Sequence, residues 1–168
     1  LDDFLADNGF FAAKTIILSS ASSKTAFGLA YLLQQRPGIR VIGLTSAGNR
    51  EFVANLGLYD QVASYDEVAQ LDSDQAVVFV DMAGNRQVLT RLHEHFQNNM
   101  HYSCGVGITH WESRDGQAPA TLPGAKPAMF FAPSQIQKRH KDWGPEKFQT
   151  ELARAWERFL TDVDRWVE

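Results

Sequence analysis

The sequence has little of what would assign it to several large protein classes. Its single cysteine, Cys104, excludes an internal disulfide framework and is consistent with a reducing compartment, so we expect a cytoplasmic location. No apolar run approaches the roughly 20 residues that cross a bilayer. The formal net charge of −4 offers no basic surface for nucleic acid or for an anionic membrane. These absences leave a globular domain that binds neither nucleic acid nor a membrane.

Familiar catalytic and metal motifs are also missing: there is no Gly-x-Ser-x-Gly, no cysteine pair and no His-Glu-x-x-His. His93 and His95 are two residues apart on a predicted helix and point to different sides, so we expect solvated histidines and no metal site. Cys104 falls in the middle of a predicted strand, where a buried, inert thiol is expected. His110 and Trp111 follow that strand and are placed to line a pocket. No residue is a convincing general acid or base, so the catalytic residues are unknown.

Strand and helix patterns alternate regularly along the chain. The 168 residues, 44% of them hydrophobic, are enough for a single domain spanning 1–168. Apolar runs predict six strands, over 15–18, 40–45, 61–65, 76–81, 102–108 and 128–133. Helices are predicted over 25–35, 50–56, 66–71, 85–98 and, as a long amphipathic helix, about 145–167. A polar surface loop is expected over 112–126. This alternation predicts an α/β fold with an open parallel sheet, whose ligand binds at the carboxyl ends of the strands.

The turn between the first strand and the first helix, Ser19–Thr25, contains no glycine. A helix N-terminus offers unpaired N–H groups and partial positive charge, and small side chains let an anion approach the backbone. Three interpretations remain open. Ser23-Lys24-Thr25 resembles the end of a nucleoside-triphosphate loop, although both of its glycines are missing. The turn is otherwise a helix cap without a ligand, or a dinucleotide turn in which Ser19, Ser22 and Thr25 replace three glycines.

The order of these segments resembles the nucleotide-binding domain of medium-chain dehydrogenases/reductases, and most closely their zinc-free quinone oxidoreductase and enoyl reductase branch. The resemblance is carried by Thr15–Ala30, Val41–Ser46, Leu56-Gly57, Asp60–Tyr65 and Val78–Gly84. More narrowly, the chain resembles a family of such proteins labelled DUF2855. That likeness is carried by Ser19–Ala26, Thr109–Trp111, Phe130–Pro133 and Trp143-Gly144.

The resemblance implies a three-layer Rossmann-type open parallel sheet of about six strands with helices on both faces. It also implies an NADP(H)-binding domain of a zinc-independent oxidoreductase that transfers hydride to a carbonyl, enone or quinone substrate. Tyr65 would lie along the adenosine phosphate, whereas Asp81 is expected to accept hydrogen bonds from turn N–H groups. The cofactor-binding residues expected from the resemblance and from the strand ends are Ser20, Ala21, Ser22, Ser23, Lys24, Thr25, Ser46, Asn49, Arg50, Tyr65, Met82, Ala83, Gly107, Thr109 and Phe131.

The residues after the second strand favour NADP(H) over NAD(H). NAD enzymes usually carry an acid there, which grips the ribose hydroxyls. This chain has Ser46, Asn49 and Arg50, whose hydroxyl, amide and guanidinium groups can donate to a 2′-phosphate. Glu51 is the nearby acid. Lys24 can add a charge contact to the pyrophosphate.

Other expectations concern the chain as a whole. It begins at Leu1 rather than Met, so we take it to be a piece of a longer protein. In the resembled enzymes a separate domain, N-terminal in sequence, holds the small-molecule substrate, so this piece alone should be inactive. A homodimer through the edge of the sixth strand is a further expectation. The alternatives are a non-catalytic Rossmann-like scaffold that has lost its cofactor and a methyltransferase-like domain.

Overall fold

A computed structural model describes residues 1–107 and 121–163. Six strands form one sheet in the order β3-β2-β1-β4-β5-β6, and every neighbouring pair is parallel. The strands are β1 Thr15–Leu18, β2 Arg40–Thr45, β3 Gln61–Ser64, β4 Val77–Asp81, β5 Met100–Gly105 and β6 Ala128–Met129. The predicted parallel α/β fold is therefore confirmed.

Among the described residues, six helices accompany the strands: α1 Asp2–Asp7, α2 Lys24–Gln34, α3 Arg50–Asn55, α4 Arg86–Phe96, α5 Ala132–Trp143 and α6 Pro145–Val163. Short 3-10 turns lie at Gly9–Ala12, Ala47–Asn49, Tyr65–Gln70 and Gln97–Asn99. From β1 the chain moves through β2 to β3 in one direction across the sheet, and from β4 to β6 in the other. Right-handed crossovers then place α2 and α3 on one face and α4 on the opposite face. This is the three-layer Rossmann-type arrangement that the sequence predicts.

The sheet is buried on both faces, which explains the continuously apolar strands. All five residues of β4 are buried, and so are all four of β1. On the α4 face, Phe79 and Ile17 pack with Leu92 and Phe96 in one apolar cluster. Cys104 in β5 is also buried, as predicted, and burial raises the pKa of its thiol to about 12. The thiol is therefore protonated and inert at neutral pH.

The described chain contains two compact units. Asp2–Phe130 holds the sheet, and the residues from Phe131 onward form the second unit. In the second unit the Arg139 guanidinium lies 4.4 Å from the centre of the Trp143 ring. The predicted amphipathic helix is present as α6, whose last predicted residues lie outside the described part. The expectation that 1–168 forms one domain stays a prediction. Within residues 1–107 and 121–163, no helix is both long and apolar enough to span a bilayer.

The sixth strand is shorter than predicted. It ends at Met129, and Pro133 lies in the first turn of α5 instead of ending a strand. Proline is compatible with the first turn of a helix because its missing N–H would have no helical partner there. The predicted strand over 128–133 is therefore correct only for Ala128 and Met129. The helix α5 was not predicted.

The expectation that His93 and His95 are solvated is wrong. His93 is fully buried, with Nδ1 donating to Pro123 O at 2.9 Å and Nε2 at 3.0 Å from Ser103 Oγ. Burial lowers the pKa of His93, so its ring is neutral. His95 is half-buried and donates from Nε2 to Leu71 O at 2.8 Å. His93 faces the sheet because it lies four residues from Leu89 and three from Phe96, both on the buried face of α4.

Gly43 in β2 permits a close approach of Tyr59 and of the turn after β1 to the sheet. A Cβ atom at this position would lie 2.8 Å from Cδ1 of Tyr59 and 3.0 Å from Cβ of Ala21. The Tyr59 hydroxyl donates to Ala21 O at 2.9 Å, so the ring is tied to the turn and cannot move freely. The missing side chain thus lets Tyr59 support the turn from beneath.

Gly43→Ala should destabilise the protein by about 1–3 kcal/mol, because the added methyl group overpacks this contact. Gly28→Ala is the matched control: Gly28 lies within α2, and a Cβ there would have no neighbour within 4 Å. Helix propensity should make that variant more stable by about 0.5–1 kcal/mol. Urea unfolding of both variants measures the difference. An unchanged midpoint for Gly43→Ala would contradict the close-packing interpretation.

Candidate functional site

The candidate site lies at the carboxyl ends of four neighbouring strands. The segments that meet there follow β1, β2, β3 and β4, and they begin at Ser19, Ser46, Tyr65 and Met82. Parallel pairing keeps these ends side by side, as in the register of Thr45 with Ser64. The switch in strand order falls between β1 and β4, which is where open α/β sheets bind their ligands.

Ser19 joins the turn after β1 to the turn after β4. Its buried hydroxyl donates to Asp81 Oδ1 at 2.7 Å and accepts from the N–H groups of Met82 and Ala83, at 2.8 and 3.0 Å. One donor and two acceptors exhaust what a hydroxyl offers, so Ser19 has none left for a phosphate. Asp81 also accepts from the N–H groups of Ala83 and Gly84, which confirms its predicted structural role.

Ser20 adopts the backbone conformation that a glycine would normally supply. Its φ of +51° lies in the left-handed region, where non-glycine residues are uncommon. Its N–H donates to the Tyr65 hydroxyl at 3.0 Å. Burial raises the pKa of Tyr65, so the phenol keeps its own proton and can donate it outward. The Tyr65 hydroxyl thus accepts a hydrogen bond from Ser20 N–H and can donate one to a ligand in its place.

The start of α2 presents unused donors next to this hydroxyl. Ser23 caps the helix, with its Oγ accepting from Ala26 N at 3.3 Å. Among the residues that the structure describes, the N–H groups of Ser22, Lys24 and Thr25 meet no acceptor. Lys24 and Thr25 are exposed. Unpaired N–H groups, the positive end of the α2 dipole and the Lys24 ammonium together favour an anion at this point.

A cleft of about 230 Å³ opens beside the turn. Its lining residues are Ser46, Ala47, Tyr65, Asp66, Asn85, Gln87, Val88 and Arg91. The volume is below the roughly 300–1,000 Å³ of pockets that enclose a whole ligand. The cleft can therefore enclose only part of a ligand of the size that such pockets hold.

Arg91 of α4 lines this cleft, whereas Arg50, at the start of α3, is not among its lining residues; each arginine is paired with a carboxylate from the turn after β3. Arg50 Nε lies 3.3 Å from Glu67 Oε2, and Arg91 Nη1 lies 3.3 Å from Asp66 Oδ1. A hydrogen bond from Ser64 N–H, with Arg50 close by, lowers the pKa of Glu67. Sequence reasoning missed Arg91, Asp66 and Glu67. The position of both acids directly after β3 was the available signal.

The structure brings most of the predicted cofactor residues to this strand-end edge and leaves a few elsewhere. Those on the edge are Ser20, Ala21, Ser22, Ser23, Lys24, Thr25, Ser46, Asn49, Arg50, Tyr65, Met82 and Ala83. Asn49 donates to Ser22 Oγ at 3.3 Å, while Ala21 is buried and its N–H donates to Leu44 O. Gly107 follows β5 at the same side of the sheet, because β5 is parallel to β4, and it is exposed. Phe131 belongs to the second unit, and Thr109 lies outside the described residues, as do His110 and Trp111.

Within the described ranges no group of three or more His, Cys, Asp or Glu side chains could hold a metal ion. The donors at the carboxyl ends of the strands suit an anion with an adjoining ring. They are hydroxyl, amide, backbone N–H and cationic groups in reach of one another. Asp81 is a buried carboxylate nearby, and it accepts hydrogen bonds from the turn N–H groups.

Comparison with known proteins identified one family and several solved structures of similar fold. The model of the family described as "Protein of unknown function (DUF2855)" matches residues 1–168. A search of curated proteins found no match. The fold resembles the yhdH oxidoreductase of Salmonella enterica in complex with NADP, with a TM-score of 0.52, 17% identity, and coverage of 95% of this chain and 46% of that chain.

Two further solved structures share the fold. A putative enoyl reductase domain of polyketide synthase has a TM-score of 0.56 and 15% identity, covering 98% of this chain and 90% of that chain. Bacillus subtilis protein yhfP with NAD bound has a TM-score of 0.53 and 18% identity, covering 98% of this chain and 48% of that chain. The chain thus spans about half the length of the yhdH and yhfP chains. At these identities the likeness establishes a shared fold.

Ser19→Ala should lower the free energy of unfolding by about 1–3 kcal/mol, because it removes an acceptor from two turn N–H groups and a donor from a buried carboxylate. Ser22→Ala is the matched control, since within the described residues the one hydrogen bond of the Ser22 hydroxyl is a 3.3 Å contact with Asn49 at the surface. Its stability should change by less than about 0.5 kcal/mol. Chemical denaturation of the two variants tests the assignment, which fails if they are equally stable.

Proposed function

The chain belongs to the DUF2855 family, and on that premise we propose that it is the NADP(H)-binding domain of a zinc-independent, medium-chain-type oxidoreductase. The strand order and the open edge at the switch between β1 and β4 support this proposal. So do the solved structures of the same fold whose descriptions include NADP or NAD.

The observation that carries the proposal is the set of unused donors at the start of α2. The N–H groups of Ser22, Lys24 and Thr25 have no acceptor in the described part of the chain, and the Tyr65 hydroxyl, which accepts from Ser20 N–H, still has its own proton to donate. A pyrophosphate accepts hydrogen bonds at many oxygens and carries negative charge, so it suits this set. Side chains would hold it farther from the backbone than glycines would.

A preference for NADP(H) over NAD(H) follows from the residues after β2. Ser46, Asn49 and Arg50 are exposed and offer a hydroxyl, an amide and a guanidinium. These groups donate to a 2′-phosphate, whereas an acid at the same place would repel it. The adenine ring would then occupy the cleft beside Tyr65, and the nicotinamide would lie toward Met82, Ala83 and the segment after β5.

The proposed reaction is hydride transfer between the nicotinamide and a carbonyl, enone or quinone substrate in the cytoplasm. The nicotinamide supplies the hydride when it is bound, and the chain's own residues bind and orient it. A separate domain would bind the substrate, so this chain would bind nucleotide without turnover. Pairing along the outer edge of β6 would form a homodimer.

One observation favours the alternative of a scaffold that has lost its cofactor. The N–H groups of Ser20 and Ala21 donate within the domain, to Tyr65 and to Leu44 O, and so are not open to a phosphate. A turn that satisfies itself in this way needs no ligand to be stable. Nucleotide binding separates the two functions.

Calorimetric titration of the purified chain with NADPH and with NADH tests the proposal. We expect NADPH to bind, and to bind more tightly than NADH by at least about threefold, because the 2′-phosphate gains charged hydrogen bonds. Absence of binding by either nucleotide at millimolar concentration would favour the scaffold.

Tyr65→Phe should weaken NADPH binding about 3- to 10-fold, since it removes one hydrogen bond to the pyrophosphate. Lys24→Ala should weaken it by a similar factor. Tyr59→Phe is the matched control, because the Tyr59 hydroxyl contacts the same turn from its buried side, at Ala21 O. Equal affinities for the Tyr65 and Tyr59 variants would remove Tyr65 from the site.

A further inference from the structure

The turn after β3 places two consecutive carboxylates against two arginines, of which Arg91 lines the cleft. Asp66 and Glu67 follow Tyr65 directly, and they pair with Arg91 from α4 and Arg50 from α3. Three separate elements therefore meet in one small charged group. The usual rule for nucleotide selectivity considers the residue after β2, where this chain has no acid.

Both ion pairs are loose. Each has an N···O distance of 3.3 Å, and the arginine side chains are 54% exposed for Arg50 and 52% for Arg91. Exposed pairs of this kind contribute little to stability and exchange partners readily. Within residues 1–107 and 121–163, neither arginine has another side-chain partner. Both guanidinium groups therefore have N–H groups available for a second anion.

The two carboxylates differ in freedom. Glu67 is held at its place, because its Oε2 accepts from Ser64 N at 2.8 Å and its side chain is only 30% exposed. The Asp66 side chain is 86% exposed and lies in the wall of the cleft together with Arg91. An incoming phosphate would thus meet one fixed negative charge near Arg50 and one movable negative charge on Arg91.

We propose that Asp66 and Glu67 are resident counter-anions at the carboxyl ends of β2 and β3, which occupy the arginines that a nucleotide 2′-phosphate would bind and so weaken the binding of 2′-phosphorylated nucleotides. This inference rests on the proposed function, because it concerns the same strand-end site. A 2′-phosphate must displace Asp66 from Arg91 and share Arg50 with Glu67. Both steps oppose binding through like-charge repulsion. The acids after β3 therefore determine how strongly the site prefers NADP(H).

The test compares Glu67→Gln, Asp66→Asn and Asp74→Asn with the unmodified chain. Both cleft substitutions remove one negative charge and keep an oxygen acceptor, and the amide oxygen that Glu67→Gln introduces can still accept from Ser64 N. Asp74→Asn is the matched control. Asp74 is exposed and lies three residues before β4 starts, so it is near the amino ends of the strands, away from the site. Calorimetry measures binding of adenosine 2′,5′-bisphosphate, adenosine 5′-monophosphate, NADPH and NADH, and thermal unfolding confirms that each variant is folded.

We expect Glu67→Gln and Asp66→Asn each to tighten binding of the bisphosphate by about threefold or more, the scale of an exposed charge interaction. Binding of the monophosphate and of NADH should stay within about twofold, and Asp74→Asn should alter none of the four affinities. Cleft variants that bind the bisphosphate while the unmodified chain does not would also support the inference.

Three results would overturn it. The first is a chain that binds NADPH while the cleft variants bind the bisphosphate no more tightly than it does; the proposed function then stands and this inference falls. The second is weaker binding of NADH or of the monophosphate by Asp66→Asn, which would make Asp66 a ligand of the ribose hydroxyls. If neither the chain nor any variant binds any of the four compounds, the proposed function and the inference both fail.

Discussion

The hydrogen bonds of the Ser19 hydroxyl fix the geometry on which the candidate site depends. They join the end of β1 to the end of β4, the two strands between which the sheet reverses its order. A glycine here would let a ligand approach the backbone, but it could not make this connection. With serine here, hydrogen bonds hold the two turns together, and a ligand cannot approach the backbone as closely as it could at a glycine. The neighbouring donors in both turns are therefore held at fixed positions.

Because of that exchange, ligand binding would depend on side chains and on the outer end of the turn. Ser20 adopts the left-handed backbone conformation and donates its N–H to the Tyr65 hydroxyl. Among the described residues, the first N–H groups of α2 have no acceptor. Tyr59 supports the turn from below, and the bare Cα of Gly43 leaves room for its ring. A turn without glycine is thus stable by itself and still presents donors, which is why sequence alone left both a cap and a phosphate site open.

Much of the fold was predictable, because buried parallel strands read as continuous apolar runs, as in Val77–Asp81, and strand ends collect the small polar residues. The errors have physical causes. Pro133 was taken to end a strand, although it suits the first turn of a helix equally well. His93 looked like a surface residue because its polarity hid its place on the buried face of α4, where Ser103 and Pro123 satisfy it. Arg91 was missed because the cleft joins α4 to segments distant in sequence.

The same limit affects the prediction of cofactor preference. A rule that considers only the residue after β2 works when that residue alone faces the ribose. Here β2 and β3 are paired in parallel, with Thr45 beside Ser64, so Ser46 and the acids after Tyr65 lie at the same edge. Arg50 follows β2 in sequence, yet its charge is partly offset by Glu67, which follows β3. The net charge near a 2′-phosphate would therefore depend on the residues after both β2 and β3. Neither segment alone predicts it.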